Sequence, residues 1–377
     1  MKEPLVYIIF GNYYSLKENR VVYGGTQTYI TSLIPLFKKK GYRCVICQPS
    51  TVDKFIDLDY CIVRFFDTQR AKTVKKETAI VLKKIEESFD NEVDILMFET
   101  DARNIKNNAR RSISIQHGIY WDIPCHEEYS ASRNALYVFQ KARDAYEIVK
   151  RNSYVKNLVC VDYNFVNWYK AVSAYPAIKL NAIPNFTEIS PVVTKPKDVI
   201  NIMFARRLRK YRGANLFADA MAVLLPKYSN VHLTIAGVGP EEEYMRKALA
   251  NFSSQVVFTQ YKAEDSLKIH QDKHIAVVPT IGSEGTSLSL LEAMSAQCAV
   301  VCTSVGGMSN IVIDNFNGLI TDTTIESLVD SLEKLIVDQA LRFRLASNGY
   351  ETVKQGFSIE KWRNSWDKVI DEVINNE

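Results

Sequence analysis

The chain has 377 residues, 47% hydrophobic and 24% charged, with a formal net charge of +4, which is more than one hydrophobic core usually serves, so two domains are expected. The composition excludes a disordered or low-complexity protein, and no apolar run approaches the roughly 18 residues of a membrane span. The apolar run Leu5–Phe10 is too short for a secretory signal, so a cytosolic protein is expected, one that can still touch a membrane surface.

Apolar β-rich runs predict strands at Leu5–Phe10, Cys44–Gln48, Tyr60–Phe65, Asp94–Glu99, Ser112–Gln116 and Leu158–Asp162. Amphipathic stretches predict helices at Thr26–Lys40, 72–90 and 127–151. The Pro-containing, polar segment 189–198 reads as a linker. After it the alternation restarts, with strands at Ile200–Ala205, His232–Ala236, Val256–Thr259, Ile275–Pro279 and Ala299–Thr303. Helices are predicted between them at 214–226, 240–251, 264–272 and Ser287–Ser295, and a last helix at Ile359–Glu377. Strand–helix alternation predicts parallel sheets covered on both faces. Two such runs predict two doubly wound domains, with ligands beyond the carboxyl ends of the strands, in the cleft where the domains face each other.

Cys44 and Cys47 form a CxxC in mid-strand, where buried thiols are expected rather than a redox pair. With no second CxxC and no helical HExxH, no metal site is expected. Residues 1–190 hold 27 basic and 21 acidic residues, and the remainder 20 and 22. The first half thus carries the basic surplus, which suits an anionic lipid surface or a solvated face. The surplus is too small, and too bare of recognition motifs, for nucleic acid.

Four stretches carry chemistry. Gly282–Ser304 places Glu284 in a Gly-rich turn and Glu292 eight positions on, inside an apolar helix. Eight residues of helix span roughly 12 Å. The amides of Gly285, Thr286, Ser287 and Leu288 at the helix start favour an anion. A carboxylate at each end of an anion site suits a nucleotide sugar, whose hydroxyls lie on both sides of its diphosphate. The second stretch, FARRLRKYRG at 204–213, ends a strand with five basic residues, among them Arg207 and Arg212; guanidinium forks suit phosphate. The third is the Gly24-Gly25 pair ahead of the first helix, and the fourth is His117-Gly118 at a strand's carboxyl end.

With these residues on the page, the chain resembles the retaining glycosyltransferases of family 4 (glycosyl transferases group 1), which share the two-domain GT-B fold. Glu284-GTSLSLL-Glu292 matches the family's E-x7-E pattern, and the surrounding run to Gly307, with NGLI at 317–320, follows it closely. Arg207, Leu208, Arg212 and Gly213 match the family's diphosphate loop, with Arg212 at its lysine position and Arg206 in place of its glycine. Gly24 and Gly25 match the family's N-terminal glycine loop, and His117 its cleft histidine. IPNF at 183–186 and AGVGP at 236–240 match two further turns, while Asp162 and Asn310 depart from the pattern.

The resemblance implies an acceptor-binding domain over 1–188, a donor-binding domain over 189–357, and a helix over 358–377 returning to the first domain. It implies transfer of a sugar from a nucleotide diphosphate donor, UDP by family frequency, with retention and without a bound metal or cofactor. Glu284 would orient the donor sugar, Glu292 hold the ribose, His117 contact the sugar, and Arg207, Arg212 and the 285–288 amides carry the diphosphate. Asp57-Leu-Asp59 is read as an incidental DxD. The basic first half, the loop 12–20 and Tyr120-Trp121 suit a glycan or polyprenyl-linked acceptor at the inner membrane face, as in surface-polysaccharide or lipopolysaccharide assembly. A GT-B sugar-nucleotide epimerase and a non-catalytic nucleotide-sugar scaffold are the competing readings.

Overall fold

The computed structural model describes residues 3–22, 24–118, 135–173, 178–282 and 284–375. The chain divides into two compact units: Met1–His117, Arg133–Pro184 and Trp362–Glu377 form the first, and Asn185–Lys361 carries the second.

The first unit runs β1 (Leu5–Ile9), β2 (Tyr14–Ser15), β3 (Arg20–Val21), α1 (Gly25–Lys39), β4 (Arg43–Ser50), β5 (Lys54–Leu58), β6 (Cys61–Asp67), α2 (Val74–Glu86), β7 (Ile95–Phe98), β8 (Ser112–Gln116), α3 (Ala135–Asn152), β9 (Asn157–Cys160), α4 (Tyr163–Val172) and β10 (Lys179–Ala182). The sheet order is β10-β9-β8-β7-β1-β4-β6-β5. Every neighbour is parallel except β5, which turns back on β6 as an antiparallel edge. The strands read as apolar runs because parallel strands are covered on both faces; β1 is buried from Val6 to Ile9 and β7 throughout. Side chains at alternate positions, Tyr7 and Ile9 on β1, Val45 and Cys47 on β4, and Leu96 and Phe98 on β7, pack under Val81, Leu82 and Ile85 of α2. Thr73 caps α2 by accepting from the Lys76 N–H, and Asp162 caps α4 by accepting from Phe165. The departure at Asp162 thus keeps the N-cap chemistry that Ser would supply.

The second unit runs β11 (Ile200–Ala205), α5 (Ala214–Leu224), β12 (Val231–Ala236), α6 (Glu242–Ala248), β13 (Val256–Thr259), β14 (Ile275–Val278), α7 (Leu288–Ser295), β15 (Ala299–Thr303), β16 (Leu319–Thr321), α8 (Ile325–Val337) and α9 (Gln339–Gly356). Its six strands are all parallel, in the order β13-β12-β11-β14-β15-β16. Period-two alternation on β11 divides the core. Ile202 and Phe204 join the cluster beneath α5 and α8, while Met203 and Ala205 join Leu290, Leu291 and Met294 of α7 on the other face.

α10 (Ile359–Asn375) begins in the second unit and carries Trp362 and Trp366 into the first. Trp366 is fully buried, and its Nε1–H donates to the Tyr29 hydroxyl of α1 at 2.8 Å. Lys40 and Asp371 form an ion pair at 2.5 Å in the same region.

Some elements differ from the sequence expectation. The predicted helix 264–272 is two short 3-10 turns, Ala263–Asp265 and Lys268–His270; EDSLKIHQDK lacks the apolar repeat that would hold a helix on the sheet. Loop 12–20 contains the β2–β3 hairpin, whose Tyr13 and Tyr14 are buried and so are not presented to a ligand. Tyr120-Trp121 and the first part of the predicted helix 127–151 lie outside the described residues. The six described cysteines are free and buried, and burial pushes the Cys44 and Cys47 thiols well up. Asp57 of the DxD is held by Arg43 Nη2 at 2.9 and 3.1 Å. Among the described residues no helix is long and apolar enough to cross a membrane.

Candidate active site

The second sheet has the 3-2-1-4-5-6 strand order, whose topological switch point falls between β11 and β14. Ligands of such sheets bind there, beyond the carboxyl ends of the strands. Two loops leave this point, residues 206–213 after β11 and 279–287 after β14.

The first loop continues the β11 ladder. Arg206 and Leu208 donate backbone N–H groups to Ala236 and Val238, so the backbone stays extended and side chains alternate. Leu208 is fully buried, Arg206 lies on the same inner side, and Arg207 is exposed. No ion pair involves Arg207 among the described residues. Gly213 then turns the chain into α5 with φ +78°; a Cβ there would sit 1.9 Å from the Pro279 carbonyl oxygen. Only glycine lets the two loops approach this closely.

Glu284 lies in the second loop. Its Oε2 accepts from Arg206 Nη2 at 2.6 Å, from Arg212 Nη1, and from Thr280 Oγ1 at 3.3 Å. Thr280 also accepts from Arg206 Nη1 at 2.6 Å. The three charged side chains are 7%, 25% and 12% exposed in the order Arg206, Arg212, Glu284, so screening is weak. Burial alone would push the Glu284 carboxyl up; the Arg206 and Arg212 charges outweigh it and hold the group below the usual carboxylate range. Two cations against one anion leave a net positive charge at the switch point.

The same loop is fixed from two further directions. Gly306, φ +58°, brings its backbone against Glu284; a Cβ would lie 1.9 Å from the Glu284 carbonyl oxygen. Asn185, from the IPNF turn, donates its side-chain N–H to the Thr286 carbonyl at 2.7 Å. Gly285, Thr286 and Ser287 are buried and lead into α7 at Leu288. Among the described residues the first turn of α7 contains no acidic residue and no side-chain cap, and a helix start of this kind favours an anion.

Glu292 sits in the second turn of α7. Burial pushes its carboxyl up to about 7, with a hydrogen bond to Ser266 pulling the other way. Burial also raises the nearby Tyr261 phenol, and the Glu292 charge adds to it. The two glutamates of the E-x7-E pattern thus have opposite environments: cations hold one ionised, and desolvation carries the other towards neutrality.

The remaining candidates lie in the first unit. Gly24 is the N-cap of α1, with extended backbone, and Gly25 is its exposed first residue. His117 follows β8, and Gly118 after it is half-buried. Burial lowers the His117 imidazole to about 4, and Tyr29 meets its ring edge-on at 4.9 Å. Tyr29 is itself flanked by Trp362 and Trp366, ring centroids 5.0 and 6.1 Å away. The tryptophan pair of α10 therefore backs the tyrosine that backs the histidine.

Sequence reading names Arg206 only as one of five basic residues and a replacement for glycine, and misses its pairing with Glu284; it misses Thr280, Tyr261 and Ser266 altogether. The signal for Arg206 is present: in extended backbone it shares the side of the apolar Phe204 and Leu208.

Two doubly wound parallel sheets, the second ending in a cationic switch point, are the GT-B fold of glycosyltransferases. Residues 185–352 match the family described as glycosyl transferases group 1. The chain is 26% identical over 283 residues to an uncharacterised glycosyltransferase of Methanocaldococcus jannaschii, covering 72% of this chain and 70% of that one. It is 25% identical over 182 residues to a lipopolysaccharide 1,2-N-acetylglucosaminetransferase of Salmonella typhimurium, covering 45% of this chain and 46% of that protein. In structure it matches Anabaena HepE, solved in complex with UDP, with a TM-score of 0.70 and 16% identity over 98% of this chain and 100% of the other.

Proposed function

We propose that the protein moves a sugar from a nucleoside diphosphate sugar, a UDP-sugar, to a hydroxyl of a glycan or lipid-linked glycan, with retention at the anomeric carbon. The observation that carries this is the Arg206–Glu284–Arg212 cluster beside the uncapped start of α7. In the reaction the bond from the anomeric carbon to the β-phosphate oxygen breaks and the acceptor oxygen bonds to that carbon. Negative charge grows on the leaving diphosphate, and the acceptor hydroxyl passes its proton to the departing β-phosphate oxygen. Arg212, the exposed Arg207 and the amides of Gly285–Leu288 are the groups of this chain suited to receive that charge, without a metal ion. Such preorganised donors are worth on the order of 10²–10³ in rate each. Glu284 orients the sugar hydroxyls, Glu292 takes the ribose hydroxyls, and Gly24, Gly25 and His117 serve the sugar from the first unit. The basic surplus of the first half and the name of the Salmonella relative support surface-glycan assembly in the cytoplasm, on an acceptor held at the inner membrane face.

The test is calorimetric binding of UDP, GDP and ADP in the presence of EDTA, with Arg212→Ala and Arg207→Ala as controls. UDP binding that weakens at least tenfold in Arg212→Ala is expected. If no nucleotide binds, or if binding needs a divalent cation, the donor site or its metal independence is refuted.

A further inference from the structure

The two ends of α3 have different surroundings. In the last turn Ile148, Val149 and Asn152 are buried, and Arg151 Nη2 donates to the buried Asp101 carboxylate at 3.0 Å. This end anchors the helix on the first unit. Residues 138–147, ahead of it, are exposed except Lys141 and Ala145, which are half-buried. Three large apolar side chains lie in that stretch: Val138 is 65% exposed, Phe139 69% and Tyr146 60%. Among the described residues no other helix exposes more than two such side chains.

Helix geometry gathers them on one face. At about 100° per residue, Val138, Phe139, Ala142 and Tyr146 fall within an arc of about 100°. The arc lies to one side of the line Lys141–Ala145–Ile148–Asn152, which meets the body of the unit. A continuous exposed apolar stripe marks an interaction surface, and the charges around it narrow the partner. Arg143 and Lys150 border the stripe within about 40° of Phe139. The Lys150 ammonium lies 5.7 Å from the Tyr146 ring centroid. Arg143 stands 3.9 Å from Asp144, with both side chains more than half exposed, a loose pair that solvent screens. Glu147 and Asp144 lie further round, about 80° and 140° from Phe139. The stripe is therefore edged by cations, and the acids are set back from it. An anionic bilayer satisfies both features: apolar and aromatic groups enter the headgroup boundary, and long basic stems reach the phosphates. The basic surplus of residues 1–190, 27 against 21, has the same sign. A neutral protein surface would match the stripe and leave its cationic border unanswered.

We propose that the exposed face of α3 docks on an anionic lipid bilayer, with Val138, Phe139 and Tyr146 entering the interface and Arg143 and Lys150 meeting the lipid phosphates. This deepens, and rests on, the reading that the acceptor is held at a membrane face, and it gives that reading a place on the chain. None of these five residues belongs to the candidate active site, so the surface can be altered without touching the donor groups.

The experiment sediments the full-length protein with vesicles of phosphatidylcholine alone and of an equal mixture with phosphatidylglycerol. The expected result is binding to the anionic vesicles that weakens as salt is raised, and far weaker binding to the neutral ones. Phe139→Ser combined with Tyr146→Ser should weaken the anionic binding about tenfold. Arg143→Gln combined with Lys150→Gln should weaken it about fivefold for each charge removed. All four side chains are exposed, so both variants should keep the parent's melting temperature and UDP affinity. The proposal is overturned if anionic vesicles leave the protein in the supernatant, if neutral vesicles bind it equally, or if both variants sediment as the parent does. Self-association abolished by the two serine substitutions, without vesicle binding, would give the stripe to a second copy and overturn the lipid assignment. Vesicle binding by a protein that binds no nucleotide would leave this surface standing and remove the donor reading; UDP binding without vesicle affinity would do the reverse.

Discussion

Replacing Glu284 by Gln keeps the shape of the side chain and one carbonyl acceptor but removes the charge that faces Arg206 and Arg212. Both guanidiniums then stay in place, one 7% and the other 25% exposed, without their counter-charge. Breaking a buried pair by removing one partner costs about 3–5 kcal/mol; the partial exposure of Arg212 puts the expected loss at the lower end, about 3 kcal/mol. For a unit of this size that lowers the melting temperature by roughly 6–12 °C. Scanning calorimetry should show the loss in the transition of the second unit and leave that of the first unchanged. The pH dependence supplies an independent check. The folded pKa of Glu284 is depressed, so its contribution is present above the ordinary carboxylate value and is lost as pH falls through the folded value. The gap between parent and variant should therefore be full at pH 7 and close in strong acid. A shift below about 2 °C at neutral pH, or a gap that widens in acid, would refute the claim that this carboxylate is held by charge.

Glu292 should behave in the opposite sense. Its folded pKa is raised to about 7, so the folded state holds the extra proton between the ordinary carboxylate value and about 7, and stability falls as pH rises through that window. Glu292→Gln is expected to gain about 2 kcal/mol over the parent at pH 8, after discounting for partial exposure, and nothing near pH 4; chemical denaturation at the two pH values checks it, and a variant less stable at pH 8 counts against it. Trp366→Ala removes a fully buried ring and its hydrogen bond to Tyr29, and should cost about 3–5 kcal/mol in the first unit. Urea unfolding followed by probes in each unit would contradict this if the loss appeared in the second.

The strand–helix alternation was legible because each central strand is an apolar run buried on both faces. Strand β5 was not, because KFIDL is largely exposed at the sheet edge and its polar residues hide the period. The turns after β13 differ from the expected helix because EDSLKIHQDK lacks an apolar repeat, a signal that strand–helix alternation alone overlooks. At the site, Glu284, Glu292 and Arg212 could be picked out from their spacing in the second half. Arg206 was read as a replacement for glycine, because pattern matching by position ignores which side of an extended strand a residue faces. Pairing between strands far apart in sequence is not written in local composition.

The contact between Trp366 and Tyr29 joins residues 337 positions apart, and it bears on the order in which the molecule can assemble during synthesis. The whole of the second unit is translated between the two partners. A nascent chain can therefore complete the second unit's sheet and both of its cores while α1 in the first still lacks the ring that covers Tyr29. The first unit to leave the ribosome becomes the last to finish folding. Until it does, Tyr29 lacks its cover of Trp362 and Trp366.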